Sequence, residues 1–95
     1  MTTTFLALVH KEPGSCYGIS FPDVPGCVSA GDTLEEAMNA GAEALEAHLD
    51  FMRQTGDRVP SPRTFEELRT DQEFIEDSAD AIVTSIALPQ RLAAE

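Results

Sequence analysis

The chain has 95 residues, of which 17 are acidic and 6 are basic, and its formal net charge at pH 7 is −11. This length allows one domain with a modest core, and a hydrophobic content of 42% is typical of a globular chain rather than a disordered one. Because binding to nucleic acid and to anionic lipid depends on clustered Lys and Arg, the charge argues against both ligands. It favours either a basic protein partner or simple solubility.

No part of the sequence indicates export, a membrane span or a cofactor. The opening MTTTFLALVHKEPG has no basic residue before its short apolar run, so it does not resemble a secretory signal. No window reaches the ~18 apolar residues of a membrane span. Cys16 and Cys27 fit no zinc spacing and are too few for a disulfide scaffold, so we expect buried, reduced thiols in a cytoplasmic protein.

Three short strands are predicted in the first third of the chain. Residues 3–11 and 16–21 flank a Pro-Gly turn signal and predict an antiparallel hairpin, with apolar residues on both faces of the first strand. A third strand is predicted at residues 26–30. It follows the segment PDVP, whose prolines cannot donate to a strand ladder and so must turn the chain.

A long amphipathic helix follows. Thr33 and Glu36 have the spacing of a capping box, and Gly56 suits the left-handed position after a helix that ends near Thr55. The face predicted to be buried carries Leu34, Met38, Gly41, Leu45, His48, Leu49 and Met52. The opposite, solvent-facing side carries Glu35, Glu36, Asn39, Glu43, Glu46 and Asp50.

The last third of the chain predicts a second helix over residues 64–78, opened by Thr64 and Glu67, and a final strand over residues 81–88. The order β-β-β-α-(α)-β predicts an α+β domain over residues 1–88, in which the long helix packs on one face of an antiparallel sheet. We expect residues 89–95 to form a C-terminal tail without a complete DNA-binding module.

The residues of the segment FPDVPGCVSAGDTLEEA (21–37) raise three possibilities for chemistry, namely a phosphate loop, a nucleophilic cysteine and a metal-dependent nuclease. A phosphate loop is disfavoured, because Asp32 and Glu35 place negative charge at the helix start and no Walker lysine is present. Pairing of Cys27 with His10 or His48 as a nucleophile stays open at the level of sequence. A metal-dependent nuclease is disfavoured because the strands carry no converging carboxylates.

Turning the chain and capping the helix account for every residue of this segment without catalysis. The residues assigned to this structural role are Phe21, Pro22, Asp23, Pro25, Gly26, Cys27, Gly31, Asp32, Thr33 and Glu36.

The run YGISFPDVPGCVSAGDTLEEAMNAGAEALEAHL (17–49), followed by VPSPRTFEEL (59–68), resembles the signature of HicB-like antitoxins. The resemblance implies a partial ribonuclease-H-like fold that lacks the catalytic carboxylates. It also implies a non-enzymatic antitoxin that masks the RNA-binding surface of a small, basic, mRNA-cleaving HicA-type toxin. Homodimers or higher oligomers are implied as well. Family members commonly carry a further C-terminal module that binds operator DNA, and because this sequence departs from the family there, we expect no binding of nucleic acid by this chain alone.

The outer face of the long helix is the expected partner-binding surface, through Glu35, Glu43, Glu46 and Asp50. Two other hypotheses remain at this stage. One is a residual metal-dependent nuclease or hydrolase, and the other is an orphan structural domain that has no toxin.

Overall fold

A computed structural model of the chain describes residues 3–88, which form a four-stranded sheet and three helices. The predicted tail at 89–95 lies outside the described residues. The elements are β1 (Thr3–Lys11), β2 (Tyr17–Ser20), β3 (Val28–Gly31), α1 (Leu34–Gln54), α2 (Phe65–Leu68), α3 (Gln72–Ser78) and β4 (Ile82–Leu88).

The sheet has the order β3-β2-β1-β4, and each neighbouring pair is antiparallel. β1 and β2 form the predicted hairpin, in which Val9 lies opposite Ile19. The last strand returns beside β1, so that Phe5 lies opposite Ile86. The α+β prediction with an antiparallel sheet and a long helix is therefore confirmed.

The main core lies between one face of the sheet and α1. Because side chains alternate along a strand, Phe5, Ala7 and Val9 of β1 share this face with Ile19 of β2, and all four are buried. Each large apolar side chain buried in this way stabilises the fold by about 1.5–3 kcal/mol. The helix contributes Ala37, Gly41, Leu45 and Leu49 to the same core.

The prediction that Leu34 lies on the buried face of α1 was wrong. Leu34 is 43% exposed, and Ala37 fills the buried position near the helix start. The reason is that α1 begins so close to the sheet that only a small side chain fits there. A Cβ built on Gly31 would lie 2.4 Å from the backbone nitrogen of Ala37 and 2.8 Å from the carbonyl carbon of Glu36.

Both ends of α1 are capped. The Thr33 hydroxyl accepts a hydrogen bond from the Glu36 N–H at 3.1 Å, as the sequence indicates, but the Glu36 carboxylate accepts from the N–H of Asp32 rather than from that of Thr33. At the other end, Gly56 has φ +83°, and its N–H donates to the carbonyl of Arg53.

The opposite face of the sheet is covered in part by α2 and α3, where Leu68 and Phe74 pack against Leu8. The prediction of one helix over residues 64–78 was wrong, because α2 ends at Leu68 with Arg69 as its C-cap and Asp71 begins a separate helix. The Asp71 carboxylate accepts from the N–H of Glu73 at 2.9 Å and caps α3. α2 is opened by a complete capping box at Thr64.

The close approach of β3 to α1 predicts the effect of a single methyl group. Gly31→Ala should lower the free energy of unfolding by about 1–3 kcal/mol, because the new Cβ meets backbone atoms that cannot rotate away. Urea unfolding followed by circular dichroism measures this change. Gly18→Ala is the matched control, since its Cβ would meet nothing closer than the His10 carbonyl at 3.9 Å. Equal losses of stability in the two variants would contradict the prediction.

Candidate partner-binding surface

The segment FPDVPGC folds as two successive tight turns. The N–H of Val24 donates to the carbonyl of Phe21, and the N–H of Cys27 donates to that of Val24, each at 3.1 Å. A proline occupies the second position of each turn, and Gly26 supplies φ +88° at the third position of the second turn. Phe21, Val24 and Cys27 are buried. The prolines and the glycine therefore bend the chain, while the side chains of Phe21, Val24 and Cys27 anchor it to the core.

The carboxylate of Asp23 binds a residue forty positions further along the chain. Its Oδ2 accepts from the backbone N–H of Arg63 at 2.7 Å, and its Oδ1 accepts from the Arg63 Nε at 2.6 Å. The Nη1 of Arg63 donates to the Asp71 carboxylate at 2.9 Å. We call these three residues, Asp23, Arg63 and Asp71, the carboxylate clamp. It ties the turn segment, FPDVPGC (21–27), to the linker after α1 and to Asp71, the N-cap residue of α3.

The clamp is partly shielded from water. The side chain of Asp23 is 7% exposed, whereas that of Arg63 is 40% exposed. The hydrogen bond from Arg63 lowers the pKa of Asp71, and the hydrogen bonds to Asp23 and Asp71 raise the pKa of Arg63. Arg63 and Asp71 are therefore charged near neutral pH.

The geometry gives no support to the catalytic hypotheses. Burial raises the pKa of the Cys27 thiol, which disfavours the thiolate that a nucleophile requires. Asp23 is engaged by Arg63 instead of being open to a metal ion. Within residues 3–88, no group of three or more His, Cys, Asp or Glu side chains could hold a metal ion. Cys16, which was expected to be buried, is exposed because it lies outside the strand, just before β2.

The predicted acidic residues of α1 lie on its outward side. Glu35, Glu43 and Asp50 are exposed and Glu46 is half-buried. We call these four residues the acidic ridge. Asp50 accepts a hydrogen bond from Gln54 at 3.0 Å and lies 4.0 Å from the guanidinium of Arg53, so the ridge is partly neutralised at its C-terminal end.

A second surface, on the other face of the sheet, was not indicated by the sequence. Between α3 and the turn segment lies a groove of about 260 Å³, lined by Leu8, Ser20, Val28 and Phe74 among others. Its acidic rim includes Asp77, which also lines a neighbouring depression of about 550 Å³. The acidic run EFIEDSAD (73–80) is the sequence feature that forms this rim. The sequence alone did not show which face of the sheet this run would cover.

Known proteins that share these features include antitoxins. The model of the family described as "HicB_like antitoxin of bacterial toxin-antitoxin system" matches residues 5–92. A 14.9 kDa protein of Haemophilus phage HP1, described as uncharacterized, is 40% identical over 70 residues, which are 74% of this chain and 50% of that protein. No helix within residues 3–88 is long and apolar enough to cross a membrane.

Solved structures agree with the fold. The Burkholderia pseudomallei antitoxin HicB has a TM-score of 0.78 and 31% identity, over 95% of this chain and 66% of that one. A chain of a HicA3 and HicB3 toxin-antitoxin complex has a TM-score of 0.72 over 92% of this chain and 99% of that one, and at 21% identity it shows the fold alone. This chain thus spans half the length of the phage relative and about two thirds of the Burkholderia antitoxin.

The fold and its sequence pattern therefore define an antitoxin domain of the kind found in bacterial toxin–antitoxin systems. The chain belongs to the HicB-like antitoxin family.

The carboxylate clamp should contribute measurably to stability. Arg63→Ala should lower the free energy of unfolding by about 2 kcal/mol, because it leaves the shielded Asp23 carboxylate without its charged partner. The loss should be smaller than for a fully buried pair, since the guanidinium is 40% exposed. Arg69→Ala is the control, because Arg69 and its partner Glu66 are both mostly exposed. We expect a change below about 0.5 kcal/mol there, and equal effects in chemical denaturation would refute the role of the clamp.

The clamp also predicts that the free energy of unfolding depends on pH. The pKa of Asp71 is lowered on folding, so its stabilising effect is complete above its unfolded pKa of about 3.9 and is lost as the pH falls through the lower, folded value. The difference in unfolding free energy between wild type and Asp71→Asn should stay constant above about pH 5 and shrink below about pH 4. Asn can still cap α3, and the other carboxylates cancel in the difference. A difference that is unchanged at pH 3 would contradict the assignment.

Proposed function

We propose that the chain is an antitoxin that binds and neutralises a small, basic, mRNA-cleaving toxin of the HicA type. The observation that supports this most directly is the match to the HicB-like antitoxin family over residues 5–92. The fold is also that of a chain from a HicA3 and HicB3 toxin-antitoxin complex. Neutralisation occurs by steric and electrostatic masking of the surface with which the toxin binds RNA.

Charge supports this mode of action. A protein that binds RNA needs a positive surface, and the antitoxin carries a formal charge of −11 on 95 residues. The acidic ridge on α1 extends this charge along an exposed helix face. In the proposed mechanism the ridge is the partner-binding surface anticipated from the sequence, and it attracts the toxin at long range and raises the rate of association.

The same proposal assigns no reaction to the antitoxin itself. It acts in the cytoplasm by stoichiometric binding, without a cofactor and without binding nucleic acid through this domain, and it associates as a homodimer or a higher oligomer. Residues 1–88 form the binding domain. The alternative of a metal-dependent nuclease can be tested by incubating the purified chain with RNA. Cleavage that requires Mg²⁺ or Mn²⁺ and stops with EDTA would favour the nuclease hypothesis.

Binding can be tested with a purified small, basic toxin of the HicA type, the first choice being one whose gene adjoins that of this chain. Co-purification and size-exclusion chromatography at low salt should give a stable complex, and the antitoxin should suppress RNA cleavage by the toxin at equimolar amounts. Absence of a complex and of inhibition at low salt would reject the proposed function.

Reversal of charge on the acidic ridge tests its role in association. Glu35→Lys with Glu43→Lys should lower the association rate constant about tenfold at low salt, and the effect should shrink at high salt because the charges are then screened. Stopped-flow or surface plasmon resonance measures both rate constants. Glu66→Lys with Glu76→Lys changes the net charge equally on α2 and α3 and serves as the control. If the two double variants behave alike, only net charge matters and the ridge has no specific role.

A further inference from the structure

The face of the sheet away from α1 is only half covered. α2 and α3 pack over Leu8 of β1, through Leu68 and Phe74. The neighbouring part of this face is formed by the end of β1 together with β2 and β3. It presents the side chains or backbone of His10, Gly18, Ser20, Val28 and Ala30. We call these five residues the platform. Val28 is 67% exposed and Ala30 is also exposed, so a sheet face of apolar and small residues is open to solvent.

The platform has the width of one helix. Adjacent strands lie about 4.8 Å apart, so β2 and β3 together span roughly the 10 Å diameter of an α-helix. α3 bounds the platform on one side and the turn segment borders the groove at Pro25 and Gly26. Gly18 has open space, because a Cβ there would meet nothing closer than 3.9 Å. The small residues therefore allow a helix backbone to approach closely.

The charges at the rim favour a basic occupant. Glu73, Asp77 and Asp80 line the groove and the neighbouring depression on the α3 side. The positive groups nearby are already engaged. Arg63 is held by the other two residues of the carboxylate clamp, and Lys11 donates to the carbonyl of Glu12 at 2.9 Å and lies 5.6 Å from the centre of the Tyr17 ring.

We propose that the platform is the direct contact site for one amphipathic helix of the basic toxin, an inference that rests on the proposed function. The apolar stripe of the incoming helix packs on Val28 and Ala30, and its Lys or Arg side chains face Asp77 and Asp80. Because α1 lies on the opposite face of the sheet, the acidic ridge does not touch this helix. The ridge governs association, and the platform governs dissociation.

Two substitutions with matched controls test this contact, using the wild-type chain and the HicA-type toxin of the binding test. Val28→Glu should raise the dissociation constant at least tenfold through faster dissociation, because it places a charge against an apolar stripe. Ile82→Glu is the control, since Ile82 is 61% exposed on the opposite face of the sheet. Circular dichroism and thermal unfolding verify that each variant folds.

The second pair keeps the test valid if Val28→Glu does not fold. Asp77→Lys should weaken binding about tenfold, whereas Glu76→Lys, which makes the same charge change on the same helix, should weaken it much less. Glu76 instead accepts a hydrogen bond from Gln72 at 3.2 Å.

The outcomes separate the two proposals. If the wild-type chain binds no toxin, the proposed function and this inference both fail. If it binds and the platform variants equal their controls, only this inference fails. Sedimentation that shows Val28→Glu dissociating a homodimer while toxin affinity is unchanged would overturn it in favour of a second copy on the platform.

Discussion

A single carboxylate holds the two layers of this domain in register. Asp23 lies in the turn segment between β2 and β3, and through Arg63 it fixes the linker that leaves α1 and the residue that caps α3. Apart from this link, the layer of α2 and α3 is joined to the sheet mainly by the packing of Leu68 and Phe74 on Leu8. The position of α3, and with it the acidic side of the groove, therefore depends on the two ion pairs of Arg63 together with this packing.

The distribution of charge offers no cluster of carboxylates that could hold a metal ion within residues 3–88. The carboxylates of α1 project outward and those of α3 line a shallow groove, so in the proposed function they attract a partner through their summed field. Asp23, whose side chain is 7% exposed, is paired with Arg63 within the chain. Such an arrangement suits a protein that works by covering another.

α1 could be predicted because its start and end are encoded locally. Features that depend on contacts between distant residues could not be predicted from the sequence. The Thr33 cap and the Gly56 turn are encoded within a few residues, and the structure has α1 from Leu34 to Gln54. Arg63 could not be assigned to Asp23, because nothing in either neighbourhood specifies a contact across forty positions. Asp71 was placed inside one predicted helix over residues 64–78, although its side chain caps a new helix. The platform became visible only when the half-covered sheet face was known.

The pairing of β1 with β4 has a consequence for biosynthesis. β1 is an inner strand of the sheet, yet one of its two neighbours is the last element within the described residues. Joining the two closes a loop that contains nearly the whole domain, which makes such topologies slow to form. On the ribosome, the earlier strands and α1 emerge without Ile86 and Leu88, two buried residues of the core. The nascent chain therefore cannot complete its sheet until β4 has left the exit tunnel, and during that interval an unsatisfied edge of β1 is exposed to chaperones and proteases.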